Sequence, residues 1–175
     1  RGWCYNYLNK PNLAIEDFNK EIELTNQNAS AYFGRGYALS SQNKLEEAIK
    51  DYFKSIEIDP NNSMVYNNIG WNYFKLNDTN KALLYVNKAL EKDTKNSVAW
   101  DSRAEIYFSL NNYEQAILDC NRALNIDSNL ANSYFIRGCS NYHLGNKTQA
   151  CDDLKKAGNL GKFSAFEYID KYCSR

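Results

Sequence analysis

Five alanines, Ala14, Ala48, Ala82, Ala116 and Ala150, stand 34 residues apart with no insertion or deletion between them. One structural unit is therefore copied along the chain, and a period of this length marks a paired-helix repeat. A second column at the same spacing holds Gly2, Gly36, Gly70, Ala104 and Gly138. Such small side chains imply that a neighbouring helix passes very close. A third column, Asn9, Asn43, Asn77, Asn111 and Gly145, contains the residues that tolerate the left-handed conformation at a helix C-terminus. Between units, Asp59-Pro60-Asn61-Asn62, Asp93-Thr94-Lys95-Asn96 and Asp127-Ser128-Asn129 combine helix-stopping with N-capping residues. The pattern predicts first helices near 29–42, 63–76, 97–110 and 131–144, and second helices near 11–24, 45–58, 79–92, 113–126 and 147–158.

The columns match the order W-x2-L-G-x2-Y, then A-x3-F, then P. Tyr32, Tyr66, Trp100 and Tyr134 open the units; after the small column come Tyr5, Leu39, Tyr73, Tyr107 and Asn141. Four residues beyond each alanine stand Phe18, Tyr52, Val86, Cys120 and Leu154, and the closing column runs Glu21, Ser55, Ala89, Ala123 and Ala157. On these residues the chain resembles the tetratricopeptide repeat (TPR) family along nearly its whole length. It departs at Ala104, at Glu21 and Asn141, which are poor core residues, and in keeping the terminal proline only at Pro60. The resemblance implies an all-α fold, a right-handed α-solenoid superhelix of antiparallel helix pairs. One array is expected over 1–175, with repeats at about 1–28, 29–62, 63–96, 97–130 and 131–162. Phe163, Phe166 and Ile169, beside Tyr168 and Tyr172 and the polar Asp170, Lys171, Ser174 and Arg175, predict a capping helix over 163–173. No cap precedes Arg1-Gly2, which matches Arg35-Gly36 in mid-helix, so the sequence reads as a piece of a longer array or as one whose start was lost by cleavage or disorder.

The 21 basic and 21 acidic residues are spread evenly, whereas phosphate binding needs clustered Lys and Arg, so nucleic acid is not an expected partner. No run reaches the length of a membrane helix, and no secretory signal is visible. Membrane insertion is not expected; the compartment stays open, with cytoplasm favoured over periplasm or secretion. The Asn-x-Ser/Thr tripeptides at Asn28, Asn61, Asn77 and Asn146 follow from abundant asparagine and carry no assigned function.

Cys4, Cys120, Cys139, Cys151 and Cys173 form no C-x-x-C pair, so no metal site is expected. Cys4 and Cys120 read as buried apolar residues. An antiparallel hairpin about 159–162 would bring Cys151 near Cys173, allowing a disulfide in an oxidising compartment. A single histidine and the lack of a nucleophile or phosphate-loop motif speak against an enzyme, and no cofactor is expected. The nearest approach to chemistry is Cys139 with His143, one turn apart and near Glu105; the simpler reading is a surface histidine above a partly buried cysteine.

In the TPR family the first helices line the concave side. The outward second-helix residues, such as Glu46, Lys50, Lys54 and Glu57, form an ordinary solvated face. The inner columns differ: Trp3, Tyr37, Trp71, Glu105, Cys139; Phe33, Asn67, Asp101, Phe135; and Asn6, Ser40, Phe74, Phe108, Tyr142, with Met64 and Val98 at one end. Clustered aromatics rimmed by polar groups mark recognition surfaces, although the same aromatics could pack as superhelix core. The expected function is a non-catalytic protein-interaction scaffold binding an apolar or aromatic peptide through Phe33, Tyr37, Asn67, Trp71, Phe74, Asp101, Glu105, Phe108, Phe135 and Tyr142. Chaperone-binding members clamp a C-terminal carboxylate with lysines, asparagines and an arginine. Phe33, Tyr37, Met64, Val98 and Ser102 replace these, with Asn68 the single match, so a chaperone tail is not the expected ligand. The alternatives are self-association through Trp3, Tyr5 and Tyr7 at the uncapped edge, or a regulatory array serving a catalytic domain outside this sequence.

Overall fold

A computed structural model describes residues 1–25 and 27–173; helix is the only regular secondary structure among them. A short α1 (Gly2–Tyr7) pairs with α2 (Pro11–Leu24). The pairs α3 (Ala29–Ser41) with α4 (Leu45–Ile58) and α5 (Ser63–Lys75) with α6 (Thr79–Lys92) follow. Then come α7 (Ser97–Ser109) with α8 (Tyr113–Ile126), α9 (Ala131–His143) with α10 (Lys147–Asn159), and finally α11 (Ala165–Cys173). Every predicted repeat helix begins and ends within one residue of its expected span, and α11 starts two residues later than expected. Ser174 and Arg175, expected beside the cap, lie outside the described residues. The fold is an α-solenoid of antiparallel helix pairs. Its contacts group into two units, Arg1–Asp93 and the residues from Thr94 onward.

The turn chemistry works as the sequence predicts. Asn9, Asn43, Asn77 and Asn111 adopt φ of 53°, 60°, 61° and 58°, and Gly145 adopts 82°. Each reversal lets the next amide return to a carbonyl five residues back, as Lys44 N–H does to the Leu39 oxygen at 3.0 Å and Asn146 N–H to the Asn141 oxygen at 2.8 Å. Gly161, at φ 96°, makes the same turn before α11. At helix starts the side chains of Asn28, Asn62 and Asn96 accept from the amides of Ala31, Met64 and Ala99.

The first unit is built around Ala14, Phe18, Ala31 and Ala38, then Ala48, Tyr52, Val65 and Ile69. A Cβ on Gly36 would stand 2.7 Å from the Tyr52 ring; one on Gly70 would stand 2.6 Å from Val86 and 2.9 Å from the Ala82 carbonyl. The second unit packs Ala104, Ala116, Cys120 and Ile136, then Cys139, Leu154, Ala157 and Ala165. Cys120 is buried as expected, but Cys4, on the short α1, is exposed rather than buried.

An ion pair outside the apolar and turn columns ties first to second helices. Arg35 donates two hydrogen bonds of 2.7 Å to Asp51; Arg103 pairs likewise with Asp119 and Arg137 with Asp153, and Arg1 bonds Asp17. The spacing is 16 residues every time. In the third repeat the matching positions are Ile69, buried in an apolar cluster, and Tyr85, packed against that cluster, so apolar packing replaces the ion pair.

Cys151 and Cys173 are joined, with Cα atoms 5.8 Å apart, fastening α11 to α10. Loop closure across this separation of 22 residues contributes about 3 kcal/mol, so reducing the bridge should lower the melting temperature, and a Cys173→Ser variant should be insensitive to reductant. Gly70→Leu should lose about 2–3 kcal/mol in urea denaturation, because its side chain meets backbone that cannot yield. Gly145→Asn, at an exposed left-handed turn with nothing within 4 Å, should stay within about 0.5 kcal/mol of wild type.

Candidate functional site

In the first unit, α3 and α5 carry Tyr37 and Trp71 in corresponding positions. Tyr37 is 47 % exposed, and the half-buried Trp71 ring lies 5.4 Å from Phe74 on its own helix. A depression of about 200 Å³ opens beside them, lined also by Ser40, Asn68, Asn72 and Lys75. Two expected site residues are not on this surface. Phe33 is 8 % exposed, held 5.1 Å from Trp3 and 6.0 Å from Tyr52, with Val65 and Ile69 in the same cluster. Asn67 is likewise buried. Phe33 is covered by Trp3 of α1 and by the cluster holding Val65 and Ile69 of α5, the first helices on either side. Met64 remains exposed, as does Tyr7 near the first turn.

In the second unit the expected residues engage one another. Asn132 Nδ2 donates to Asp101 Oδ2 at 3.1 Å and to Glu105 Oε2 at 2.9 Å, the Ser133 hydroxyl donates to Asp101, and Lys162 Nζ donates to Asn132 Oδ1. Burial pushes the Asp101 carboxyl above the usual carboxylate range, against the hydrogen bonds from Ser133 and Asn132 and the charge of Lys162. Glu105 shifts up for the same reason; the Asp101 charge adds to the shift, while Asn132 and Lys162 oppose it. Phe108 packs on Tyr113 and His143 at 5.7 and 6.2 Å. Phe135 meets Tyr168 edge-on at 5.0 Å, and Tyr142 stacks on Tyr172 at 3.6 Å, so α11 packs onto both. The helix that the sequence marked as a cap thus covers two of the residues expected to meet a ligand.

Cys139 and His143 do not make a reactive pair. Cys139 is buried and its thiol is pushed up to about 12, far from the thiolate form at neutral pH, while the His143 ring stacks flat on Tyr113 at 4.5 Å. No group of three His, Cys, Asp or Glu placed to hold a metal ion occurs among the described residues. Within those residues no helix is long and apolar enough to cross a membrane.

The geometry is that of a helix-pair repeat scaffold with an aromatic first-helix face, and sequence comparison agrees. Tetratricopeptide repeat profiles match residues 29–62, 52–83 and 97–130. The chain belongs to the tetratricopeptide repeat family. Comparison with curated proteins finds no match. Among solved structures the fold is similar to that of MamA, at 18 % identity and a TM-score of 0.75 over 94 % of this chain and 96 % of that one. It is similar to YrrB, described as a TPR protein with an unusual peptide-binding site, at 19 % identity and 0.71 over 97 % and 88 %. Pseudomonas aeruginosa PilF gives 17 % identity and 0.83 over 91 % and 73 %.

The raised carboxyls of Asp101 and Glu105 have a fixed sign. A group whose folded pKa lies above its unfolded value binds more protons when folded, so its contribution favours folding at low pH and is lost as pH rises through the folded value. Glu105→Gln keeps an acceptor for Asn132 and removes the titration. The variant should therefore gain stability over wild type between pH 4 and pH 7, read by calorimetry at both; no change in the difference would place Glu105 in water.

Proposed function

We propose that this chain is a non-catalytic protein-interaction scaffold that holds a peptide segment of a partner on the aromatic first-helix face of its first unit. The observation that carries this reading is the exposed Tyr37 beside Trp71 and Phe74. These rings lie outside the small-residue seam that fixes each helix pair, and Tyr37 and Trp71 line a depression with polar walls. The likeness to YrrB supports it at the level of fold. An apolar or aromatic peptide suits Tyr37, Trp71 and Phe74 of the first unit; Asp101 and Glu105 of the second unit are left out because Asn132 and Ser133 already engage them. Phe33 and Asn67 are left out because they are buried; Phe108, Phe135 and Tyr142 act through packing.

Random peptides displayed on phage and selected on the full chain supply the test. Tyr37→Ala with Trp71→Ala should weaken selected peptides by at least about tenfold while circular dichroism stays unchanged. Undiminished affinity in the folded double variant would sink the reading. Exposed Trp3, Tyr7 and Leu8 favour a second reading, self-association. It predicts a mass by light scattering that rises with concentration and falls back in Trp3→Ser/Tyr7→Ser.

A further inference from the structure

The third repeat carries rings where an Arg–Asp pair stands in the other repeats. Phe53 of α4 meets Tyr85 of α6 edge-on at 5.6 Å, and Tyr85 stacks on Tyr73 of α5, also at 5.6 Å. All three side chains are half-buried. Tyr73 follows Trp71 by two positions, about 200° around the helix, so it belongs to the opposite side of α5 from the aromatic first-helix face. One repeat earlier the matching positions, with Arg35 and Asp51 among them, line a polar depression of about 250 Å³. A helix pair is held there by the ion pair, so repeat geometry alone does not call for three rings at this place.

Lys81, Leu84, Tyr85 and Lys88 share one stripe of α6, being three and four residues apart. Leu84 is 49 % exposed. The Lys81 ammonium lies 5.1 Å from the Tyr73 ring centre, and that of Lys88 lies 5.1 Å from the centre of Tyr85. The nearby carboxylates are already engaged, Asp78 with Lys81 and Glu57 of α4 with Lys54. Lys88 enters none of the ion pairs among the described residues. The stripe is therefore an exposed apolar centre between two lysines.

We infer that this surface of α4, α5 and α6 docks an acidic segment of a partner protein, one that sets an aliphatic or aromatic side chain between carboxylates. The apolar side chain rests on Leu84 and the Tyr85 ring, with a carboxylate on Lys88 and another sharing Lys81 with Asp78. Each ammonium is held against a ring on one side and keeps N–H donors for an anion on the other, so its position is set before the partner arrives. A basic segment would meet like charge here, and a neutral one would leave both lysines unused. The surface is distinct from the first-helix site, and a chain using both would hold two segments at once.

The test follows the backbone amides of Leu84, Tyr85 and Lys88 and the Trp71 indole in the ¹⁵N-labelled full chain. Three probes are used: an acetylated, amidated hexapeptide with leucine and phenylalanine set among aspartates, its asparagine counterpart, and a counterpart with alanine in place of both apolar residues. The α6 amides should saturate with the first peptide at least about tenfold below the concentration either counterpart needs. Leu84→Ser with Lys88→Gln should remove most of that preference. Ile69→Arg with Tyr85→Asp, which restores the ion pair of the other repeats, should keep the helical circular dichroism and abolish the response. Equal response to the aspartate and asparagine peptides would overturn the inference, as would binding undiminished in Leu84→Ser/Lys88→Gln. A Trp71 response with silent α6 amides would overturn it in favour of the first-helix site, and silence at α6 with all three probes would overturn it outright.

Discussion

The structure depends on how closely the two helices of each repeat approach. Gly36, Gly70 and Gly138 turn bare backbone toward the facing helix, where Tyr52, Val86 and Leu154 fill the space a side chain would need. A helix pair at that separation buries the alanine column completely, with Ala14, Ala48, Ala82, Ala116 and Ala150 all at zero exposure. The left-handed turn at each asparagine then sends the second helix back along the first with the same geometry each time. A single repeat of this kind cannot cover its own apolar face, so stacking on neighbours supplies the remaining burial.

The Arg–Asp pairs add direction to this apolar contact. Asp119 is fully buried and accepts from both Arg103 and Arg122, and Arg35 and Arg137 each reach back to an asparagine of the preceding second helix at 2.8 and 2.6 Å. These arginines thus bind the two helices of a pair and the pair before it. Ion pairs desolvated to this degree add little net energy over an apolar replacement, since desolvation offsets much of their attraction. The third repeat makes that exchange, with Ile69 and Tyr85. The geometry of a forked guanidinium on a carboxylate fixes helix orientation more tightly than shape-tolerant apolar contact does.

The repeat register, the helix spans and the turn conformations were all legible because each rests on a short-range rule: a column of small residues, a capping side chain, an asparagine that accepts positive φ. The Arg–Asp pairs were legible in principle, as a basic residue followed 16 positions later by an acidic one in every repeat but the third. They escape a reading that follows apolar and turn columns alone. The site was legible in part. Tyr37, Trp71 and Phe74 stand on the first-helix face, but Phe33 and Asn67 share that face's periodicity and are nonetheless buried. Position within one helix does not reveal how far the neighbouring first helix closes over it.

The sequence by itself determined the repeat, the pairing of helices and the places where backbone must turn left-handed, because these follow from residue size and backbone conformation within 34 positions. Tertiary structure decided which aromatics remain open to a partner. Trp71 and Tyr142 look alike as inner-face aromatics, yet Tyr142 lies flat against Tyr172 of a helix tethered through Cys151 and Cys173, while Trp71 borders an open depression. Exposure depends on what distant segments cover, and only the packed chain fixes that.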